Sequence, residues 1–421
     1  MKCFNSSRPV ARRLLTVAIT TVIVIGCGSD TINGPLTAAP TGRRLSVGET
    51  TACGLDSIGV VFCWGANSTR WEYGASPATL PASASPVAVP VPALTAISGG
   101  ASQHMCGIMA SRQAVCWGRG QSGQLGTATP GDAGNAPSIV QSGGVHWTDI
   151  FVSRLLTCAL SLSGAGYCWG LNQRGEIGNS SMVIGAQFST PTPITSNIVF
   201  RSVVPGWLHS CGIATSGAAY CWGDNASGQL GIGFADNAVH LDPLLVSFTE
   251  KFEQLSLGSR STCGITIDHR ALCWGLNATG QLGDGTTSSR AFPTIVSGGV
   301  KFKAIALASG FAGGTSVPLP STGQQASVAH TCALTESGAP FCWGWNGAGQ
   351  VGDSTTTDRL SPVAVQGNLT LTAIGLGGSS SCGMNGNAVW CWGSNLVGQL
   401  GNGTFVNSSI PVAVVGPFAK P

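Results

Sequence analysis

Charge is scarce in this chain. Only 9% of its 421 residues are Asp, Glu, Lys or Arg, and the formal net charge is +3. The opposed charge pairs that support solvent-exposed helices are nearly absent, which argues against a helical protein. No run of Lys or Arg persists, so the electrostatic footprint of a nucleic-acid binder is missing and no nucleic-acid partner is expected. Long apolar runs are missing too. The longest, from Leu14 to Ile25, is too short to span a bilayer. The chain holds no Gly-x-Ser-x-Gly elbow, no His-Glu-x-x-His and no calcium loop. With 17 Asp and Glu in all, carboxylate chemistry has few residues to draw on.

What is abundant is glycine, 61 residues, and cysteine, 16. Such glycine content with little charge suits many short strands joined by tight turns. Fourteen cysteines fall into seven pairs: Cys53 with Cys63, Cys106 with Cys116, Cys158 with Cys168, Cys211 with Cys221, Cys263 with Cys273, Cys332 with Cys342 and Cys382 with Cys391. In the first six the spacing is ten and in the last nine, in each case centred on a turn, so the two cysteines oppose one another across a hairpin. We read them as disulfides of an oxidising compartment. A column of buried reduced cysteines is the alternative, and zinc is disfavoured because its ligands sit two to four residues apart. His104, His209 and His330 each lie two residues before a cysteine, but Thr51, Leu156, Ser261 and Ser380 fill that position in other repeats, which marks it as structural. No metal and no cofactor are expected.

Two segments precede the repeats. Residues 1–27 carry Lys2, Arg8, Arg12 and Arg13 ahead of the apolar run, then Val24-Ile25-Gly26-Cys27, which resembles a bacterial lipobox with Cys27 as the lipidated residue. Residues 28–44 are rich in Gly, Pro and Thr and should form a flexible tether. The body then runs from 45 to 416, with a tail at 417–421.

Cys-Trp-Gly recurs with tryptophans at 64, 117, 169, 222, 274, 343 and 392, at intervals of 53, 52, 53, 52, 69 and 49 residues. Such a period holds four strands and their turns, one propeller blade. A glycine loop such as Gly280-Gln281-Leu282-Gly283 follows each tripeptide in most repeats. Leu45-Ser46-Val47-Gly48 matches the fourth-strand pattern Ile374-Gly375-Leu376-Gly377, and the chain ends on a third-strand pattern at Ile410 to Val415. The expected fold is all-β, a seven-bladed β-propeller of four-stranded blades, its ring closed by pairing the C-terminal strand with the N-terminal strands.

The stretches Ser261 to Gly283, His330 to Gly352 and Ser380 to Gly401 resemble repeats of the regulator of chromosome condensation family, and the resemblance covers about Leu45 to Gly416. It implies the seven-bladed propeller and action through the faces of the ring. In the family such action includes nucleotide exchange on a GTPase and, in a secreted bacterial member, β-lactamase inhibition. Intracellular exchange conflicts with the leader. A plant UV-B photoreceptor of the family repeats Gly-Trp-Arg-His-Thr. Gly206-Trp207-Leu208-His209-Ser210 is similar but occurs once and lacks the arginine, so photoreception is not supported.

Two glycine patterns, Gly118 to Gly123 and Gly347 to Gly352, match a dinucleotide fingerprint, but no helix follows either. Asp224, Asp284 and Asp353 read as solvated turn residues. Departures from the repeat are the candidate binding loops: Trp71, Glu72 and Tyr73 in place of the first glycine loop, and an insertion at 310–326 holding Gly310, Phe311, Leu319 and Gln324. The expected function is a non-enzymatic, monomeric binding propeller on the bacterial envelope, periplasmic or at the cell surface, held to the membrane only by its lipid and recognising a protein or surface partner. An envelope hydrolase or lyase with carboxylates near the channel, and a purely structural surface protein, are the alternatives.

Overall fold

The computed structural model describes residues 43–67, 82–99, 104–131, 137–308, 316–318, 325–327 and 329–418. Seven four-stranded antiparallel sheets follow one another along the chain as the blades of a propeller. Blade 1 comprises Leu45–Val47, Thr51–Leu55, Val61–Ala66 and Ala82–Ala88. Blade 7 comprises Ala373–Leu376, Ser380–Asn385, Ala388–Gly393 and Ser408–Ala413. Blades 1 to 7 carry Trp64, Trp117, Trp169, Trp222, Trp274, Trp343 and Trp392 on their third strands. Among the described residues no helix is long and apolar enough to cross a membrane.

The expected closure is corrected. Every blade is complete from contiguous chain, and Ser408–Ala413 pairs only with its own neighbour, Ala388–Gly393. The sequence repeat is conspicuous from the cysteine hairpin onward, so a count begun there places the strand before the next hairpin at the end of the same blade. That strand is the innermost strand of the following blade, and Leu45–Val47 is therefore a first strand. The ring closes by packing: Leu45, Val47 and Trp64 of blade 1 share a core with Met384, Val389, Leu400 and Val414 of blade 7. Phe418, from the segment read as a tail, is fully buried in this seam, with its ring 5.8 Å from Phe62 and 5.6 Å from Trp64.

The tripeptide has a local cause. Ladders between third and fourth strands slip at the tryptophan, for example between Cys273 and Gly275, so the indole of Trp274 leaves the sheet and enters the space between blades. Gly275 makes this possible with φ of +95°, where a Cβ would stand 2.4 Å from the Arg260 carbonyl oxygen.

Cysteines of each hairpin are registered partners on the second and third strands of their blade, and every pair is bridged. Cys53 bonds to Cys63, Cys106 to Cys116, Cys158 to Cys168 and Cys211 to Cys221. Cys263 bonds to Cys273, Cys332 to Cys342 and Cys382 to Cys391. The Cα atoms stand 4.1 Å apart in all seven, the close approach of residues directly opposed in an antiparallel ladder. Cys391 stays opposite Cys382 at a separation of nine because its hairpin turn is one residue shorter. All fourteen are completely buried. Within the insertion, Ser316–Pro318 pairs antiparallel with Gln325–Ser327 as a separate two-stranded sheet.

Candidate functional site

The repeated residues are used up in the seams between blades. Backbone carbonyls of Gln399, Glu176, Gln229, Gln281 and Gln350 accept the indole N–H of Trp64, Trp222, Trp274, Trp343 and Trp392 in the next blade, at 2.8–3.0 Å. Most of these carbonyls accept a second bond from a hydroxyl of that blade: Ser210, Thr262, Thr331 and Ser381 donate to them, and Thr157 donates likewise to Gln124, at 2.7–2.9 Å. The loop must press closely on its neighbour to do this. A Cβ at Gly283, whose φ is +71°, would lie 2.6 Å from Nε1 of Trp343.

His104, His209 and His330 belong to the same seams. Their Nε2 atoms lie 3.0, 2.8 and 2.8 Å from the hydroxyls of Thr157, Thr262 and Ser381 in the following blade. Each hydroxyl spends its one proton on a loop carbonyl, so the imidazole Nε2–H is the donor. Burial pushes His209 and His330 down to about 3. No group of three or more His, Cys, Asp or Glu among the described residues could hold a metal. The fourteen hairpin cysteines, from Cys53 and Cys63 to Cys382 and Cys391, are spent on disulfides and offer no thiolate.

First strands of all seven blades line a central cavity of about 180 Å³, below the ~300–1,000 Å³ usual for a small-molecule pocket. Arg43 is the sole ionisable side chain among its lining residues. Its guanidinium donates to Oδ1 of Asp149 at 2.9 Å and to the carbonyl of Ile150, and stands 3.5 Å from the Phe151 ring centroid. Desolvation holds it below the ordinary arginine value, with Asp149 opposing that shift. Carboxylates suited to hydrolysis do not line this cavity among the described residues. Asp284 and Asp353 are not solvated either: they are 4% and 7% exposed and paired with Arg290 and Arg359 at 2.7 and 2.6 Å. They also occupy the same place in their repeats, each three residues after the loop glutamine.

Strand order gives the ring two unlike faces. On one emerge the turns between first and second strands and the loops between third and fourth. The opposite face carries mixed charges of blades 5 and 6 in pairs, such as Arg270 with Glu250 and Asp268, and His269 with Glu336 at 2.8 Å. The predicted binding residues Trp71, Glu72, Tyr73, Gly310, Phe311, Leu319 and Gln324 lie outside the described residues, as does Cys27. The strand ends flanking both segments, Ala66 with Ala82 and Leu307 with His330, are on the first face.

Two features of that face were missed from sequence. The Arg154 guanidinium carbon stands 4.3 Å from the ring centroid of Trp207. Leu396, Phe405 and Val406 in the outer loop of blade 7 are 74%, 53% and 71% exposed. Blade 5 has Ala278, Thr287 and Ser288 at those places, with the same asparagine bracing: Asn395 and Asn277 each donate to two loop carbonyls. Aligning the repeats for positions that depart from the rest would have marked both.

Profiles described as the Regulator of chromosome condensation (RCC1) repeat match residues 200–229, 252–281 and 326–350, and, for a second profile, 216–265, 268–312 and 387–420. The chain is 28% identical over 272 residues to the Ultraviolet-B receptor UVR8 of Arabidopsis thaliana, covering 63% of this chain and 56% of the receptor. It is 31% identical over 215 residues to the Probable E3 ubiquitin-protein ligase HERC4 of Mus musculus, covering 50% of this chain and 18% of the ligase. It thus spans about half of one curated relative and under a fifth of the other. Yeast Prp20, solved bound to Kap60, superposes with a TM-score of 0.70 at 18% identity, covering 86% of this chain and 85% of that one. A structure of Prp20p from Saccharomyces cerevisiae, described with its binding to Gsp1p and histones, gives 0.70 at 19% identity over 86% and 87% of the two chains.

Proposed function

This chain is built of regulator of chromosome condensation repeats closed into a seven-bladed propeller, and on that premise we propose that it is a non-enzymatic binding propeller of the bacterial envelope. In this reading residues 1–27 are a lipoprotein signal peptide, Cys27 carries the lipid, and loops of one face recognise a protein or surface partner. One observation carries it: the repeated polar residues are consumed by the seams, while the strands that flank both departures from the repeat, Ala66 with Ala82 and Leu307 with His330, end on one face. Seven bridged cysteine pairs suit an oxidising compartment outside the cytoplasm. Prp20, solved bound to Kap60 and described with its binding to Gsp1p and histones, supports binding as the class of activity. It names no partner for this chain.

The mature protein is tested as bait on the envelope of the producing cell, beside a variant in which 310–326 is replaced by a short Gly-Ser linker. A saturable partner that the linker variant loses is expected. Recovery equal to that of an unrelated lipoprotein would overturn the binding reading. Intact mass should show a lipid on Cys27. An unlipidated N-terminus downstream of Cys27 would remove the anchor from the proposal.

A further inference from the structure

Blade 7 carries no charge. No Asp, Glu, Lys, Arg or His occurs in the sixty residues 360–419, the longest such stretch in the chain, where 9% of sixty would give about five charged residues. All four strands of the blade and the Phe418 segment fall within it. The outer loop shows the same removal position by position. In blades 5 and 6 that loop is crossed by the pairs Asp284 with Arg290 and Asp353 with Arg359, and Asn402 and Ser408 stand at those two places in blade 7. Its polar frame is kept, for Asn395 donates to the Thr404 and Val406 carbonyls at 2.9 and 3.1 Å. On that frame Leu396, Phe405 and Val406 are exposed. Ile410 on the outer strand and Val415 just past it are 45% and 36% exposed, so apolar side chains follow the blade from its loop end to the opposite end.

The chain enters the ring at that opposite end, beside the same blade. Arg44 donates to the Gly386 carbonyl at 3.2 Å and to Oδ1 of Asn387 at 2.7 Å, both in the hairpin turn of blade 7, and Leu45 and Val47 pack in its seam. Residues 28–42 lie between Cys27 and Arg43, and such a length reaches no more than about 55 Å. Blades 7 and 1 are thus the two nearest to any lipid on Cys27. Blade 1 carries Glu49 and Asp56, with Arg70 and Glu72 between its third and fourth strands. On the other side blade 6 contributes the exposed Asp358, and Arg359 paired with Asp353. Taking a charge out of water is costly, and blade 7 has none to move.

Resting on the lipoprotein reading of Cys27, we infer that blade 7 lies against the bilayer that holds the lipid, with Leu396, Phe405 and Val406 entering its interfacial zone. The lipid is then not the sole membrane contact. Burial of apolar side chains in that zone needs no register of hydrogen bonds and no shaped pocket, which suits a short protruding loop. A protein partner that adds a strand to this edge is disfavoured, because Pro411 removes a donor from it. Loops of the other blades remain available to a partner.

The test uses the full mature protein reconstituted in phosphatidylcholine vesicles, part of whose lipid carries a doxyl quencher. An NBD dye is attached through azidophenylalanine in place of Phe405 and, in a second preparation, in place of Phe234 in the blade 4 loop across the ring. Emission at 405 should shift to the blue and be quenched at least about threefold more than at 234. L396A/V406S should bring quenching at 405 down to the level at 234. L162S, which removes another exposed apolar residue from blade 3, should leave it unchanged. High salt should leave it unchanged too, since no charge is engaged. Circular dichroism and thiol counts confirm that each variant is folded. Should the 405 variant fail to fold, the dye moves to position 396 with the same expectation and F405T/V406S as its control. The inference is overturned by equal quenching at 405 and 234, by quenching that survives L396A/V406S, or by its loss in high salt. A blue shift at 405 that arises with envelope proteins and not with vesicles would overturn it in favour of a protein partner. Intact mass reads the lipid separately. If Cys27 is lipidated and 405 stays unquenched, this inference falls and the lipoprotein reading stands. If Cys27 carries no lipid, that reading falls, and the protein is mixed with the same vesicles. Cosedimentation that L396A/F405T/V406S abolishes then keeps the inference, and its absence overturns it.

Discussion

Glu176 stands where Gln124, Gln229, Gln281, Gln350 and Gln399 stand in other blades, and it is 1% exposed in the seam between blades 3 and 4. Burial, with Asp224 of the next blade adding to it, pushes its carboxyl up to about 7, against the Arg174 and Glu176 backbone N–H groups and the Arg174 charge. A neutral acid resembles the amide it replaces, which explains why the seam accepts it. Because the folded value is raised, the stabilising contribution is complete below about 4.5, the ordinary value, and is lost as pH rises through about 7. E176Q should therefore raise stability at pH 8 by about 3 kcal/mol and leave it almost unchanged near pH 4.5, measured by urea unfolding. The seam histidines have the opposite sense. His209 and His330 are held neutral with folded values near 3, so their contribution is present above 6.5 and is lost as pH falls toward 3. H330S copies Ser261 and Ser380 of sister repeats. Its deficit against the wild type at pH 7 should shrink by at least about 1 kcal/mol at pH 4.5, and an unchanged deficit would refute the neutral assignment.

Elements show how the ring manages its edges. Fourth strands of six blades contain proline, at Pro86, Pro191, Pro243, Pro293, Pro362 and Pro411, which removes a donor from each outer edge. Such edges resist pairing with another chain even though Leu245, Phe292 and Ile295 are more than half exposed there. The blade 7 loop is a different case, since its apolar residues have no edge to protect and no core to fill. L396A/F405T/V406S, which transplants the blade 5 residues, should change the unfolding free energy by no more than about 0.5 kcal/mol while reducing hydrophobic-dye binding to the native protein. A large loss of stability would show that these side chains are structural.

For the whole molecule, closure without strand exchange concentrates the work of holding the ring on one seam. Trp64 reaches the Gln399 carbonyl at 3.0 Å, and Phe418 fills the space above Gly54, where a Cβ would lie 2.8 Å from its ring. F418A should destabilise the protein by about 3–5 kcal/mol. Amide exchange should accelerate first in Leu45–Val47 and Ala373–Leu376, the strands flanking the seam, and later in blade 4. Uniform acceleration around the ring would mean that closure is not localised.

The sequence by itself determined the strand-rich class, the seven-fold period, the opposed cysteines and the role of Cys-Trp-Gly and Gly-Gln-Leu-Gly as scaffold. These are legible because they follow from steric rules within one hairpin: where a chain must bulge, where only glycine reaches positive φ, and which residues face each other across a turn. Tertiary structure alone decided that the repeat and the blade are out of phase by one strand, since hydrogen-bonded neighbours, not periodicity, define a blade. It also decided that Asp284 and Asp353 are buried ion pairs, and that Arg154 lies on Trp207 and near Arg119 and Glu49. Each of those residues looks ordinary in its own repeat. The two aspartates meet their arginines six residues on within one loop, whereas Arg154 meets its neighbours only where turns from different blades come to one mouth.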